Sequence, residues 1–185
     1  GLIAAREVST ELAGIARFQE QLGPVKAASV RVASRIANRL KAGHPVADYK
    51  SMETCRVIYI SVPAGQLRSA VEALLSSGLR LRGKLLVIFG SAADAQLLDS
   101  LRKRGASVAT LETVNSVWVH SGPRRFKRML QPDARKLVEV AETNRVHFRA
   151  AMAACEAQLP PLAALVFARL RDAGLSARQS RDLNE

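Results

Sequence analysis

The amino-acid sequence predicts an α/β protein: a mostly parallel sheet with helices on both faces over residues 1–121, followed by a partial, all-helical unit over residues 122–185. Three observations predict it. The runs Val57–Val62 (VIYISV), Lys84–Phe89 (KLLVIF) and Ala106–Val114 (ASVATLETV) read as buried strands. Between them apolar residues recur at helical spacing, and strands alternating with helices of this length imply right-handed crossovers and a parallel sheet. After the turn cluster Ser121-Gly122-Pro123 the pattern changes to an Ala-rich helical one.

In chain order, Gly1–Ala5 is the first strand, and Val8, Leu12, Ile15 and Leu22 mark one face of a helix that Gly23 and Pro24 end. Val25–Ala28 is a short second strand. Val32, Ile36 and Leu40 outline the next helix, stopped at Gly43. Pro63 closes the Val57–Val62 strand because it cannot donate to a sheet ladder. Leu67, Val71, Leu74 and Leu75 then make a helical face before Gly78, Gly90 closes Lys84–Phe89, and Leu97, Leu98 and Leu101 lie on a helix stopped by Gly105. In the C-terminal unit Phe148, Met152 and Cys155, then Leu162, Leu165, Val166 and Leu170, carry an apolar helical face up to Gly174. Pro160 and Pro161 should break it, since each lacks a helical donor.

Composition narrows the function. With 48% hydrophobic and 24% charged residues the chain can bury a core, which excludes general disorder. Cys55 and Cys155 are far apart and outside any CxxC spacing, so neither a disulfide framework nor a thiolate metal site is expected, and the compartment reads as reducing cytoplasm. His44, His120 and His147 share no metal-ligand spacing. The longest apolar runs, such as Leu85–Phe89, fall far short of the roughly 20 residues that span a bilayer. The apolar opening at Gly1 and the unstopped end at Glu185 suggest a fragment of a longer protein. A net charge of +12 suits polyanions, including nucleotide phosphates and acidic partners, whereas 4% aromatic residues are too few for a single-strand stacking surface, so specific nucleic-acid binding is not expected.

A doubly wound sheet binds ligands at the carboxyl ends of its strands, where strand order reverses. A dinucleotide fingerprint at the first β-α turn needs three glycines for the tight turn and close approach to pyrophosphate. Here Ala4, Arg6 and Ser9 fill those places within Ala4-Ala5-Arg6-Glu7-Val8-Ser9, so the fingerprint is degenerate. Arg6 can partly offset the repulsion of phosphate by Glu7 and Glu11. Lys26, Ser29 and Arg31 follow the second strand, where NADP-selective proteins keep cations and hydroxyls for the 2′-phosphate. Ser61-Val62-Pro63 and Gly90-Ser91 lie at strand ends bordering the same crevice. The candidate cofactor set is therefore Ala4, Ala5, Arg6, Val8, Lys26, Ser29, Arg31, Ser61, Val62, Pro63, Gly90 and Ser91, with no catalytic or metal-ligating residue assigned.

The segment from Val57 to Val114 resembles the Rossmann-like proteins related to pyrroline-5-carboxylate reductase, deazaflavin-dependent NADP oxidoreductase and 6-phosphogluconate dehydrogenase. More narrowly it looks like the group in which such a domain precedes a helical C-terminal domain of unknown function. The residues carrying the resemblance are Val62-Pro63, Gly90-Ser91 and Gly105–Val114, with Glu112 and Thr113 around a usual proline place. The resemblance implies a Rossmann-like NAD(P)-binding domain, a helical dimerisation domain giving a homodimer, and an NADP-dependent oxidoreductase or a cofactor-binding relative without hydride transfer, its small-molecule substrate unspecified. The alternative is a regulatory module that binds a nucleotide or an acidic partner without catalysis. In active relatives the first helix of the second domain carries a lysine near its start and an asparagine about three turns later. Arg145 and Ala157 stand at the nearest places, and arginine does not readily transfer a proton while alanine offers no hydrogen bond. With Arg6 in a glycine place and Glu7 and Glu11 flanking the first β-α turn, NADP binding is expected to be weak or lost.

Overall fold

The computed structural model describes residues 1–5, 12, 20–90, 93–114, 117–130, 136–156 and 163–184. It divides into two compact units, Gly1–Thr110 and Leu111–Glu185. The turn cluster Ser121-Gly122-Pro123 lies inside the second.

The first unit contains β1 (Leu2–Ala4), β2 (Pro24–Lys26), α1 (Val30–Leu40), β3 (His44–Val46), β4 (Val57–Ser61), α2 (Ala64–Ser76), β5 (Leu85–Phe89), α3 (Ala95–Lys103) and the start of β6 (Ser107–Val114). Its strands lie in the order β3-β2-β1-β4-β5-β6. β1 pairs in parallel with β2 on one side and β4 on the other, Leu2 facing Val25 and Tyr59, so the winding direction reverses at β1. The pairs β2–β3 and β4–β5 are parallel too. The mostly parallel α/β sheet expected from the sequence is what the chain forms.

The reason is visible in the burial. Ile58, Ile60, Leu86, Val87 and Ile88 are all buried, as strands covered on both faces require. Leu67, Val71 and Leu74 of α2 and Leu97, Leu98 and Leu101 of α3 supply their helical faces to the same core. The helix starts are written locally: the Ser29 hydroxyl accepts the Val32 N–H (3.3 Å) before α1, and Asp94 accepts that of Leu97 (2.7 Å) before α3. β3, which the sequence pattern does not show, is held beside β2 by a turn at Gly43. That residue has φ +75° and sits where a Cβ would meet the Gly23 carbonyl oxygen at 2.6 Å, so only glycine fits. Lys84 is buried but satisfied, donating to the carbonyls of Glu53, of Cys55 (2.9 Å) and of Met52 (3.4 Å).

The second unit holds the end of β6, then β7 (Val117–Ser121), α4 (Arg124–Leu130), β8 (Leu137–Glu139), α5 (Arg145–Glu156), α6 (Ala163–Asp172) and α7 (Ala177–Asn184). The stretch after Pro123 opens with helix α4 but is not all-helical. Through β7, α4 and β8 the chain makes a further β-α-β step, with β7 and β8 parallel and His120 opposite Glu139, before α5. Val117, Val119 and Val138 form one side of a core whose other side is Phe148, Ala151, Val166, Leu170 and Leu183. The helix sequence expected to break at Pro160 and Pro161 is two helices, α5 and α6; both prolines lie outside the described residues, as do Val8 and Ile15 of the first expected helix.

Candidate cofactor site

At the reversal point the carboxyl ends of β1, β2 and β4 surround a cleft of about 250 Å³. Ala4 and Ala5 continue β1 into it; the Ala5 N–H is bound to the Ser61 carbonyl at 3.2 Å, which fixes the exit of β1 against β4. Lys26 ends β2. Its Nζ donates to the Ala27 carbonyl at 2.5 Å and lies 5.3 Å from the centre of the Tyr49 ring, a cation–π distance. Val62, Gln66 and Ser69 bring in the end of β4 and the first turns of α2, which carries no acidic residue in its first turn. Burial raises the Tyr49 phenol above its ordinary value, so the ring serves as a neutral wall with a donor hydroxyl.

Of the residues picked from the sequence, the cleft gathers Ala4, Ala5, Lys26 and Val62. Ser29 and Arg31 are exposed at the start of α1, the former spending its hydroxyl on the cap. Ser61 is buried, Pro63 exposed at the start of α2, and Gly90 half-buried with φ +88° after β5; none of these is among the cleft's lining residues. Arg6, Val8 and Ser91 lie outside the described residues, so the first β-α turn has no described geometry. Tyr49 and Gln66 are additions. Gln66 follows from α2 starting at Ala64, but Tyr49 reaches the cleft on the connection after β3, a strand with no period in the sequence.

The second unit contains a group of charges out of keeping with a plain core. Arg145 is 7% exposed with one terminal nitrogen, Nη1, lacking a hydrogen-bond partner, and burial lowers its pKa. Burial pushes the Glu112 carboxyl up, opposed by the charges of Arg145 and Arg149. His120 is 1% exposed, with neither ring nitrogen hydrogen-bonded and its ring edge-on to Phe126 at 5.9 Å. Burial lowers its pKa, Glu139 opposing this and Lys127 adding to it. Among the described residues no three His, Cys, Asp or Glu side chains are grouped to hold a metal, and no helix is long and apolar enough to cross a membrane.

The strand order and the cleft at its reversal define a Rossmann-like fold. No protein-family model matches the chain, and no curated protein matches its sequence. Solved structures do match in fold. An imine reductase from Myxococcus stipitatus in complex with NADP+ matches with TM-score 0.63 at 16% identity, over 97% of this chain and 69% of that one. A pyrroline-5-carboxylate reductase from Coxiella burnetii matches with TM-score 0.59 at 11% identity, over 99% and 74%. A variant of the M. stipitatus enzyme in complex with NAD+ matches with TM-score 0.58 at 16% identity over 76% of this chain, which spans about half (54%) of its length.

Proposed function

We propose that this protein is an NADP-dependent oxidoreductase-like protein whose N-terminal part, residues 1–121, takes the cofactor weakly and whose helical part, residues 122–185, belongs to a larger dimerisation domain, in a cytoplasmic homodimer. The cleft at the β1 reversal, with Lys26 fixed over Tyr49, is the observation that carries this reading. At about 250 Å³ it is smaller than the roughly 300–1,000 Å³ of ordinary ligand pockets. It accommodates part of a dinucleotide, which agrees with weak affinity. Ala4, Ala5 and Val62 would form its floor, and Arg6 and Val8 the turn beside the pyrophosphate. Lys26, Ser29 and Arg31 would meet the 2′-phosphate, while Ser61, Pro63, Gly90 and Ser91 would border the nicotinamide end.

The cofactor would supply hydride chemistry. This chain's own residues bind and orient it, and Arg145, where related dehydrogenases carry a lysine, gives no ready proton donor. That supports the form of the reading in which hydride transfer has been lost. Separate calorimetric titrations with NADPH and NADH test it: NADPH binding in the micromolar range and weaker NADH binding are expected. Submicromolar NADH affinity would overturn it. A second reading, a regulatory module binding a nucleotide or acidic partner without catalysis, is favoured by the Arg145 and Ala157 departures and would show as nucleotide binding with no oxidation of NADPH against any imine or carbonyl substrate.

A further inference from the structure

We propose that the outer face of α1 docks on the sugar–phosphate backbone of a nucleic-acid duplex through Arg31, Arg35 and Arg39, by charge and without reading sequence. These residues stand at i, i+4 and i+8, so they share one face, and all three are exposed. At about 1.5 Å rise per residue the stripe presents three guanidiniums over about 12 Å of α1, to a polyanion that carries one charge per about 3.4 Å of axis on each strand. Like charges at this spacing weaken a helix. Nothing local offsets them: α1 (VRVASRIANRL) contains no carboxylate, and among the described residues none of the three arginines has an ion-pair partner.

The contrast within the molecule is specific. Arg102 of α3 pairs with Asp99, Lys127 of α4 with Glu139, and Arg169 of α6 with Asp172. On α4, Arg124, Arg125 and Arg128 are also exposed without an ion pair among the described residues, but Arg124 and Arg125 are adjacent and so point about 100° apart; among these helices α1 sets three such cations at i, i+4 and i+8 along one face. Its guanidinium forks suit phosphate oxygens.

The absence of anchors selects the partner. A protein interface gains most of its energy from a few buried aromatic or apolar residues. The stripe offers none, since Val30, the exposed apolar residue of α1, lies about 100° around the helix from Arg31. A single strand is held largely by stacking on aromatic rings, and α1 has no aromatic residue. A duplex backbone needs neither, and the net charge of +12 steers it in. This goes beyond the cofactor reading and stands or falls separately from it.

The test is fluorescence anisotropy of a labelled 20-base-pair DNA duplex, titrated between 50 and 200 mM salt. The double variant Arg35→Gln/Arg39→Gln leaves the candidate cofactor residue Arg31 in place. Its plot of log affinity against log salt should be shallower by about 1.8, two phosphate contacts at about 0.9 each. Arg35→Lys/Arg39→Lys should keep most of the slope, and a duplex of unrelated sequence should bind equally. Because both side chains are exposed and the Gln variant relieves like-charge repulsion along α1, the variants should melt at or slightly above the parent's temperature. An unchanged slope in the Gln variant, or the same loss from Arg124→Gln/Arg125→Gln on α4, would overturn the proposal. Displacement of the duplex by poly-glutamate at equal charge concentration would also overturn it, in favour of an acidic protein.

Discussion

Lys26 Nζ is held between the Ala27 carbonyl, to which it donates at 2.5 Å, and the face of Tyr49, 5.3 Å from the ring centre. The lysine closes its own strand end and draws in a ring from beyond β3, so the cleft wall depends on one cation at the C-terminus of β2. Replacing it with Lys26→Gln removes the charge and the ring contact together. NADPH affinity should fall by about tenfold, the equivalent of about 1.4 kcal/mol, while NADH affinity, lacking the 2′-phosphate, should change much less. Calorimetry with both nucleotides on parent and variant checks this. Equal losses for the two would assign Lys26 to shaping the cleft rather than to recognising phosphate.

Two glycines should respond with opposite sign. Gly43→Ala places a Cβ where the Gly23 carbonyl oxygen is 2.6 Å away, at φ +75°. The variant should lose about 1–3 kcal/mol in denaturant unfolding. Gly65, in the first turn of α2, has no neighbour within 4 Å of its built Cβ. Gly65→Ala should therefore gain about 0.4–1 kcal/mol by restricting the unfolded chain. A loss at both positions would show that the space around α2 is tighter than its geometry.

Legibility in the sequence followed burial. β4 and β5 are continuous apolar runs because both faces are covered, and α2 and α3 print their buried stripes at helical spacing, so these elements were readable. β3 (HPV) and β8 (LVE) are three residues each, too short to carry a period, and β7 (VWVHS) ends in two polar residues that are buried. The β-α-β step after β6 was missed for this reason. Ala4, Ala5, Lys26 and Val62 of the candidate site were legible because strand ends are. Tyr49 was not, because its approach to the cleft depends on the unread β3 turn.

His120 gives the second unit a pH dependence whose sign follows from its burial. Its folded pKa is lowered below the ordinary 6.5, so around and below that value the unfolded chain binds more protons than the folded one. The contribution is intact above about pH 6.5 and is lost as pH falls through the folded pKa. Glu139 moderates the loss and Lys127 adds to it. Glu112 acts in the other direction: its raised folded pKa favours the folded state at low pH, and that contribution fades as pH rises through the folded value. Urea unfolding between pH 7.5 and 5 should show falling stability in the parent and a flatter profile in His120→Gln. A parent profile that is already flat would mean that the imidazole gains solvent or a partner on protonation.

Assembly is decided by what the helical unit leaves uncovered. The apolar residues of α5 and α6 are mostly satisfied within the unit, since Phe148, Ala151, Val166 and Leu170 pack on Val117, Val119 and Val138. Val146 and Leu165 remain 74% and 48% exposed. Exposed single apolar residues are ordinary. Their weight here comes from the proposed homodimer, in which they would be the contact surface, and an isologous contact repeats each on both subunits. The protein in its full length is expected to scatter light as a dimer at micromolar concentration. Val146→Glu/Leu165→Glu would put two charges per subunit into that contact and should shift it to monomer. Urea midpoints should equal the parent's at concentrations where both are monomeric, because neither side chain belongs to the core, and should be lower than the parent's where the parent is a dimer. A clean monomer for the parent would defeat the dimer and leave both residues as solvated surface. A dimer that survives the double substitution would place the contact on another face.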